Sequence, residues 1–112
     1  MKVLLVNGSA HEHGCTDAAL NECAEAIRAS GLEAEVWWIG NQPINGCRGC
    51  HACRDGHCAF GNDDGVNALI DKIHASDGVI FGSPVHFAGP AGNFHSLLDR
   101  VFYAKRSFAG KP

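Results

Sequence analysis

The sequence predicts an α/β protein, a doubly wound parallel sheet with helices packed in layers on both faces. Three observations predict it. Three short runs rich in Val, Leu and Ile alternate with three segments whose apolar residues recur at helical spacing. The strand-like runs are continuously apolar, as in strands buried on both faces, and do not alternate like half-solvated hairpins. Glycine makes up 14 of the 112 residues and gathers in the segments between these elements, as in loops whose backbone approaches a ligand closely.

Lys2–Val6 is the first strand, stopping at Asn7-Gly8-Ser9. After a loop, a helix is expected over about Thr16–Ser30, where Leu20, Cys23, Ala24 and Ile27 form one apolar face and put Cys23 in the core. Gly31 is placed to end it. Leu32–Ile39 is the second strand, favoured by Val36, Trp37, Trp38 and Ile39. A glycine- and cysteine-rich loop runs from Gly40 to about Gly61. Asn62 or Asp63 is expected to cap the second helix, with the stripe Val66, Leu69, Ile70 and Ile73.

Asp77–Phe81 is the third strand, and Ser83-Pro84-Val85-His86-Phe87 after it reads as a proline turn. The third helix, starting near Pro90, carries the stripe Phe94, Leu97, Leu98, Val101 and Phe102. Ser107–Pro112 resembles a connection into a further strand. Strand three would otherwise keep an unpaired edge, so residues 1–112 are expected to be one incomplete domain, truncated after the third helix. Such a chain alone is expected to self-associate.

Composition narrows the function. With 46% hydrophobic and 19% charged residues the chain is ordinary for one globular domain. The net charge of −3 contains no block of one sign, which leaves no electrostatic footprint for nucleic acid or an anionic membrane. No apolar run is long enough to span a bilayer. Six cysteines without an export signal place the protein in a reducing cytoplasm.

Four of those cysteines, Cys47, Cys50, Cys53 and Cys58, fall in one loop with spacing C-x2-C-x2-C-x4-C. Glycines 46, 49 and 56 let this backbone turn tightly. A disulfide pair, a zinc ion and an iron–sulfur cluster could each hold the sulfurs. Disulfides need an oxidising compartment. Zinc with four cysteines usually takes two C-x2-C pairs across a longer spacer. The tight first three thiols match ferredoxin-type runs, although there the fourth cysteine precedes a proline, whereas Cys58 precedes Ala59. A [4Fe–4S] cluster using all four is the favoured reading; zinc, or thiols that bind nothing, are the alternatives.

Two further loops follow strands one and three. Asn7 to Thr16 leads a buried strand into a helix N-terminus, where free N–H groups, the helix dipole and the Ser9 and Thr16 hydroxyls suit an anion. It matches neither the P-loop nor the G-x-G-x-x-G pattern, and a plain strand-to-helix turn is the other reading. His11 and His13 could add charge. Cys15 sits where a thiol can be activated, although small size also accounts for it. The loop after strand three combines a proline, a branched aliphatic and two flat rings, suited to a planar ligand or simply to packing.

Together, Asn7-Gly8-Ser9 with Cys15-Thr16, Gly82-Ser83-Pro84-Val85 with Phe87, and Gly92-Asn-Phe-His-Ser-Leu-Leu-Asp99-Arg100 resemble the NADPH-dependent FMN reductases. The cysteine loop resembles that of the iron–sulfur flavoproteins within that family. The resemblance implies a flavodoxin-like fold with FMN bound at Ser9, His11, Gly14, Cys15 and Thr16 for the phosphate, and at Pro84, Val85, His86, Phe87 and Gly89 for the ring. It also implies a [4Fe–4S] cluster, a ferredoxin-like or NAD(P)H electron donor and a homo-oligomer. His11 stands where the family commonly has arginine, His86 where it has tyrosine and His95 where it has lysine. The family's domain also continues through two more strands. A flavin or quinone reductase without a cluster, and a metal-binding interaction domain, are the alternative functions.

Overall fold

A computed structural model describes residues 1–104. The elements run β1 (Lys2–Asn7), α1 (Cys15–Ala29), β2 (Glu33–Trp38), α2 (Val66–His74), β3 (Gly78–Gly82), β4 (Val85–His86), β5 (Gly89–Pro90) and α3 (Gly92–Ala104). The connection expected over Ser107–Pro112 lies outside the described residues. β1, β2 and β3 form a parallel sheet in the order β2-β1-β3. Asn7 pairs with Trp38 on one side and with Gly82 on the other, so the three strands end level and their outgoing loops start side by side.

β1 is buried on both faces, as its unbroken apolar run demands: Leu4, Leu5 and Val6 are all fully buried. Strand periodicity sends these side chains to opposite layers. Leu4 and Val6 join α2 and α3 in one core, with Val66, Leu69, Ile70, Ile73, Phe94, Leu97 and Val101. Leu5 joins Leu20 and Ala24 of α1 in the other. Neither α1 nor α2 has a side-chain cap. A missing cap forgoes ~1 kcal/mol, whereas each fully buried Leu, Ile or Val contributes ~1.5–3 kcal/mol, so packing decides where these helices form.

The structure corrects three expectations. Cys23 is exposed, because α1 lays Leu20 and Ala24 on a sheet of only three described strands and leaves its i+3 flank uncovered. α2 is preceded not by an Asn62 or Asp63 cap but by Gly65 in the left-handed conformation, and Asp64 Oδ1 accepts from the Val66 N–H at 3.3 Å. Asn62 Oδ1 instead accepts from Asn67 Nδ2 at 2.9 Å. The segment after β3 is not a proline turn but a two-stranded hairpin, β4–β5, turned by Phe87 and Ala88 at φ 48° and 62°. Two positive φ values in a two-residue turn match the twist of the flanking strands.

β2 is tied to α2 and to the start of β1 through Glu35, whose carboxylate meets Lys72 Nζ at 2.6 Å and Lys2 Nζ at 3.0 Å. Lys72 first and Lys2 second hold its pKa below 4.5, against the opposing effect of burial. A depressed carboxylate contributes stability above its unfolded pKa and loses it as pH falls through the folded value. Glu35→Gln is therefore expected to cost ~1 kcal/mol or less at pH 7, the pairs being part-exposed. Thermal melts at pH 7 and well below pH 4.5 check this, with the difference from wild type vanishing in acid. Among the described residues no helix is long and apolar enough to cross a membrane.

Candidate functional site

The three loops that leave the carboxyl edge of the sheet carry nearly all the candidate residues, as expected for ligand sites in open α/β sheets. The β1–α1 loop is rigid from its base. Asn7 is fully buried; its Oδ1 accepts from the Ser9 N–H at 3.0 Å and its Nδ2 donates to Glu12 O at 3.1 Å. Ser9 Oγ accepts from the His11 N–H at 3.0 Å, and Trp38 Nε1 donates to Ser9 O at 2.8 Å. Gly14 stands just before the first turn of α1 with no side chain spanning that turn's N–H groups. Cys15 and His11 are exposed beside it, and Thr16 is half-buried. His13 faces Asp17 at 3.4 Å.

This loop and the β4–β5 hairpin are built against each other. Gly8 N donates to Gly82 O at 2.8 Å. A side chain on Gly82 would meet the Thr16 methyl at 3.0 Å, so α1 and β3 approach as closely as glycine permits. Ser83 Oγ closes the base of the hairpin, accepting from the Ala91 N–H at 3.0 Å. At its tip Phe87 is fully exposed and Val85 is 75% exposed, with His86 between them; Gly89, paired with His86 beside the turn, and Pro84, at the foot, are half-buried. An exposed phenylalanine held at positive φ is costly by itself.

The cysteine loop between β2 and α2 is irregular apart from one bridge, Arg54–His57. Gly49 and Gly56 take positive φ as their role in tight turns requires, and so do His51 and Asp55; Gly46 does not. All six cysteines are free thiols. Cys47, Cys50, Cys53 and Cys58 line one small open cavity of about 50 Å³ together with Arg100 and Tyr103. Cys15 and Cys23 lie on α1, away from it. Among the described residues no three Cys, His, Asp or Glu side chains converge closely enough to hold a single metal ion. The four thiols share the lining of one cavity, and sulfur is a donor suited to iron, zinc or an iron–sulfur cluster.

What holds this loop was not among the expected site residues. From α2, Asn67 Oδ1 accepts from the Cys58 N–H at 2.8 Å and its Nδ2 donates to Cys58 O at 2.9 Å. From α3, Asn93 Oδ1 accepts from the Ile44 N–H at 3.2 Å and its Nδ2 donates to Gln42 O at 3.0 Å. Tyr103 Oη hydrogen-bonds His51 Nδ1 at 3.0 Å. Arg100, only 5% exposed, pairs with Asp64 and donates to Asn45 O at 3.1 Å, Phe60 O at 2.9 Å and Cys58 Sγ at 3.6 Å. Burial disfavours its charge, yet Asp64 and Cys58 raise its pKa above the ordinary value, and the guanidinium stays charged. Asn93, Arg100 and Tyr103 recur at i, i+7 and i+10, a polar stripe beside the apolar one. That period was the signal available in the sequence.

Fold and loops define a flavodoxin-like α/β protein of the flavin-reductase class. Comparison with known proteins agrees: the family model of the NADPH-dependent FMN reductases matches residues 1–112, and the chain belongs to that family. It is 35% identical over 101 residues to an iron–sulfur flavoprotein of Methanocaldococcus jannaschii, covering 89% of this chain and 51% of that protein. It is 32% identical over 105 residues to one of Archaeoglobus fulgidus, covering 94% and 51%. The chain thus spans about half the length of these relatives. Among solved structures it superimposes on a flavone reductase with a TM-score of 0.68 and 27% identity, over 89% of this chain and 29% of the other. It also superimposes on a putative quinone reductase from Klebsiella pneumoniae, with a TM-score of 0.60 and 21% identity over 91% and 45%, which supports the fold.

Proposed function

We propose that this chain is the cofactor-bearing part of an FMN-dependent oxidoreductase that also carries a [4Fe–4S] cluster on Cys47, Cys50, Cys53 and Cys58. The observation that carries the reading is that these four thiols border one cavity, in a chain of the NADPH-dependent FMN reductase family. When bound, FMN accepts one or two electrons and a [4Fe–4S] cluster passes one at a time, so the pair links a one-electron donor to two-electron chemistry.

The chain's own residues supply binding and orientation. The uncapped first turn of α1 faces the phosphate with free N–H groups and the positive end of the helix dipole, and the Ser9 and Thr16 hydroxyls add donors. His11 stands exposed beside this turn, where the family commonly has arginine. Val85 and Phe87, exposed on the hairpin, offer apolar surface to a flat ring, with Pro84, His86 and Gly89 shaping its edge. The N–H of Gly49 donates to Cys47 Sγ at 3.4 Å, which spreads charge from that sulfur. A ferredoxin-like protein or NAD(P)H is the electron donor in this reading. The names of the relatives support the cluster. In this reading the protein works in the cytoplasm as a homo-oligomer.

Iron, sulfide and FMN content of the full-length protein after anaerobic purification tests this. Iron with sulfide and FMN supports the reading; zinc, or a colourless protein, overturns it. In the same protein, Ser9→Ala with Thr16→Ala removes two hydroxyl donors to a charged group, each worth ~1.5–3 kcal/mol. FMN affinity measured by fluorescence quenching is expected to fall at least about tenfold, and unchanged affinity would sink the phosphate assignment.

A further inference from the structure

Burying a cation is expensive unless every donor finds a partner, and an ion pair inside a protein often contributes no more than a well-packed apolar pair. Arg100 is such a cation, and its partners are not scattered. Asn45 lies two residues before the first cysteine of the loop and Phe60 two residues after the last. Cys58 is that last cysteine, and Asp64 closes the segment leading into α2. One planar guanidinium therefore ties the entry of the cysteine loop to its exit and touches a sulfur in passing. Asn93 holds the entry to α3 and Asn67 holds the exit to α2, but neither joins one end to the other; among the described contacts Arg100 bonds both the Asn45 and the Phe60 carbonyls.

We infer that Arg100 is the positioning residue of the cysteine loop: it holds the loop's two ends together and hydrogen-bonds Cys58 sulfur, setting how firmly a bound cluster is retained and at what potential it is reduced. The inference rests on the cluster reading above. Two properties of the guanidinium are separable. Its fork geometry bridges several acceptors, which an ammonium cannot do from one point. Its charge favours the more negative, reduced state of a cluster bound through thiolates, and so raises the potential.

The test uses the full-length protein with its cluster and FMN, measuring iron release to the chelator bathophenanthroline and the cluster midpoint potential. Arg100→Lys keeps the charge and loses the fork. Iron release is expected to quicken ~10–100-fold, as for other supporting groups around metal ligands, with the potential near wild type. Arg100→Met with Asp64→Asn removes the pair without stranding a charge, and leaves Asp64's Oδ1 acceptor in place. Its iron release should be at least as fast and its potential more negative. Retained FMN marks each variant as folded; if the double variant loses FMN, the release rate of Arg100→Lys decides. Release from Arg100→Lys within twofold of wild type overturns the positioning role. An unshifted potential in the folded double variant overturns the tuning role. A wild-type protein without iron and sulfide overturns the cluster reading itself, an outcome distinct from either.

Discussion

Cys58→Ser is expected to turn the full-length protein from brown to yellow. Serine offers a hard, protonated oxygen where iron in a cluster prefers a soft thiolate. The substitution is nearly isosteric, and the backbone at position 58 is held independently of the sulfur by Asn67, at 2.8 Å from the N–H and 2.9 Å to the carbonyl. Loss of the ligand therefore cannot be repaired by a loop shift that brings the hydroxyl elsewhere. A cluster with one iron open to solvent should be lost or converted. FMN should stay, because the β1–α1 loop and the β4–β5 hairpin contain none of the four cysteines. Absorption spectra with iron and sulfide analysis read the result directly. A Cys58→Ser protein with the full cluster spectrum would remove Cys58 from the ligand set.

Gly8→Ala should damage both stability and flavin binding. An added Cβ would stand 2.5 Å from Cγ and Cδ1 of Phe94 and 2.9 Å from the Gly82 carbonyl oxygen. Phe94 is 4% exposed and stacks against Phe81 at 5.8 Å between ring centroids, so it has little room to retreat. Either the ring moves, at the ~1–3 kcal/mol typical of overpacking, or the Gly8–Gly82 hydrogen bond that joins the β1–α1 loop to the end of β3 breaks. In the second case Ser9 and the first turn of α1 shift away from the phosphate. The melting temperature is expected to fall and the FMN Kd to rise at least about tenfold, equivalent to ~1.4 kcal/mol. Phe94→Leu in the same chain should recover part of both by giving the methyl space. Wild-type melting and affinity in Gly8→Ala would show that the loop and the end of β3 are not coupled there.

Much of the fold was legible because its signals are local. Leu4, Leu5 and Val6 read as a strand buried twice over, and each of the three helices announced itself by the period of its apolar stripe. The cysteine spacing put four thiols in one loop, and they line one cavity. Element ends were less legible. Gly65 rather than Asn62 or Asp63 precedes α2 because Asn62 is engaged by Asn67, a contact that exists only once helix and loop are packed. Cys23 matched the helical period yet lies exposed, since period reports the direction of a side chain and not what covers it.

By itself, then, the sequence determined the three parallel strands, the three amphipathic helices, and the places of the loops between them. Each depends on residues within a few turns of one another, where propensity and periodicity act directly. Only the tertiary structure decided that Gly8 and Gly82 must stay bare, that Trp38 supports Ser9, and that Arg100 joins Asn45 to Phe60. Those pairings span tens of residues, and a buried arginine or a required glycine acquires its meaning from partners that the chain brings near only by folding.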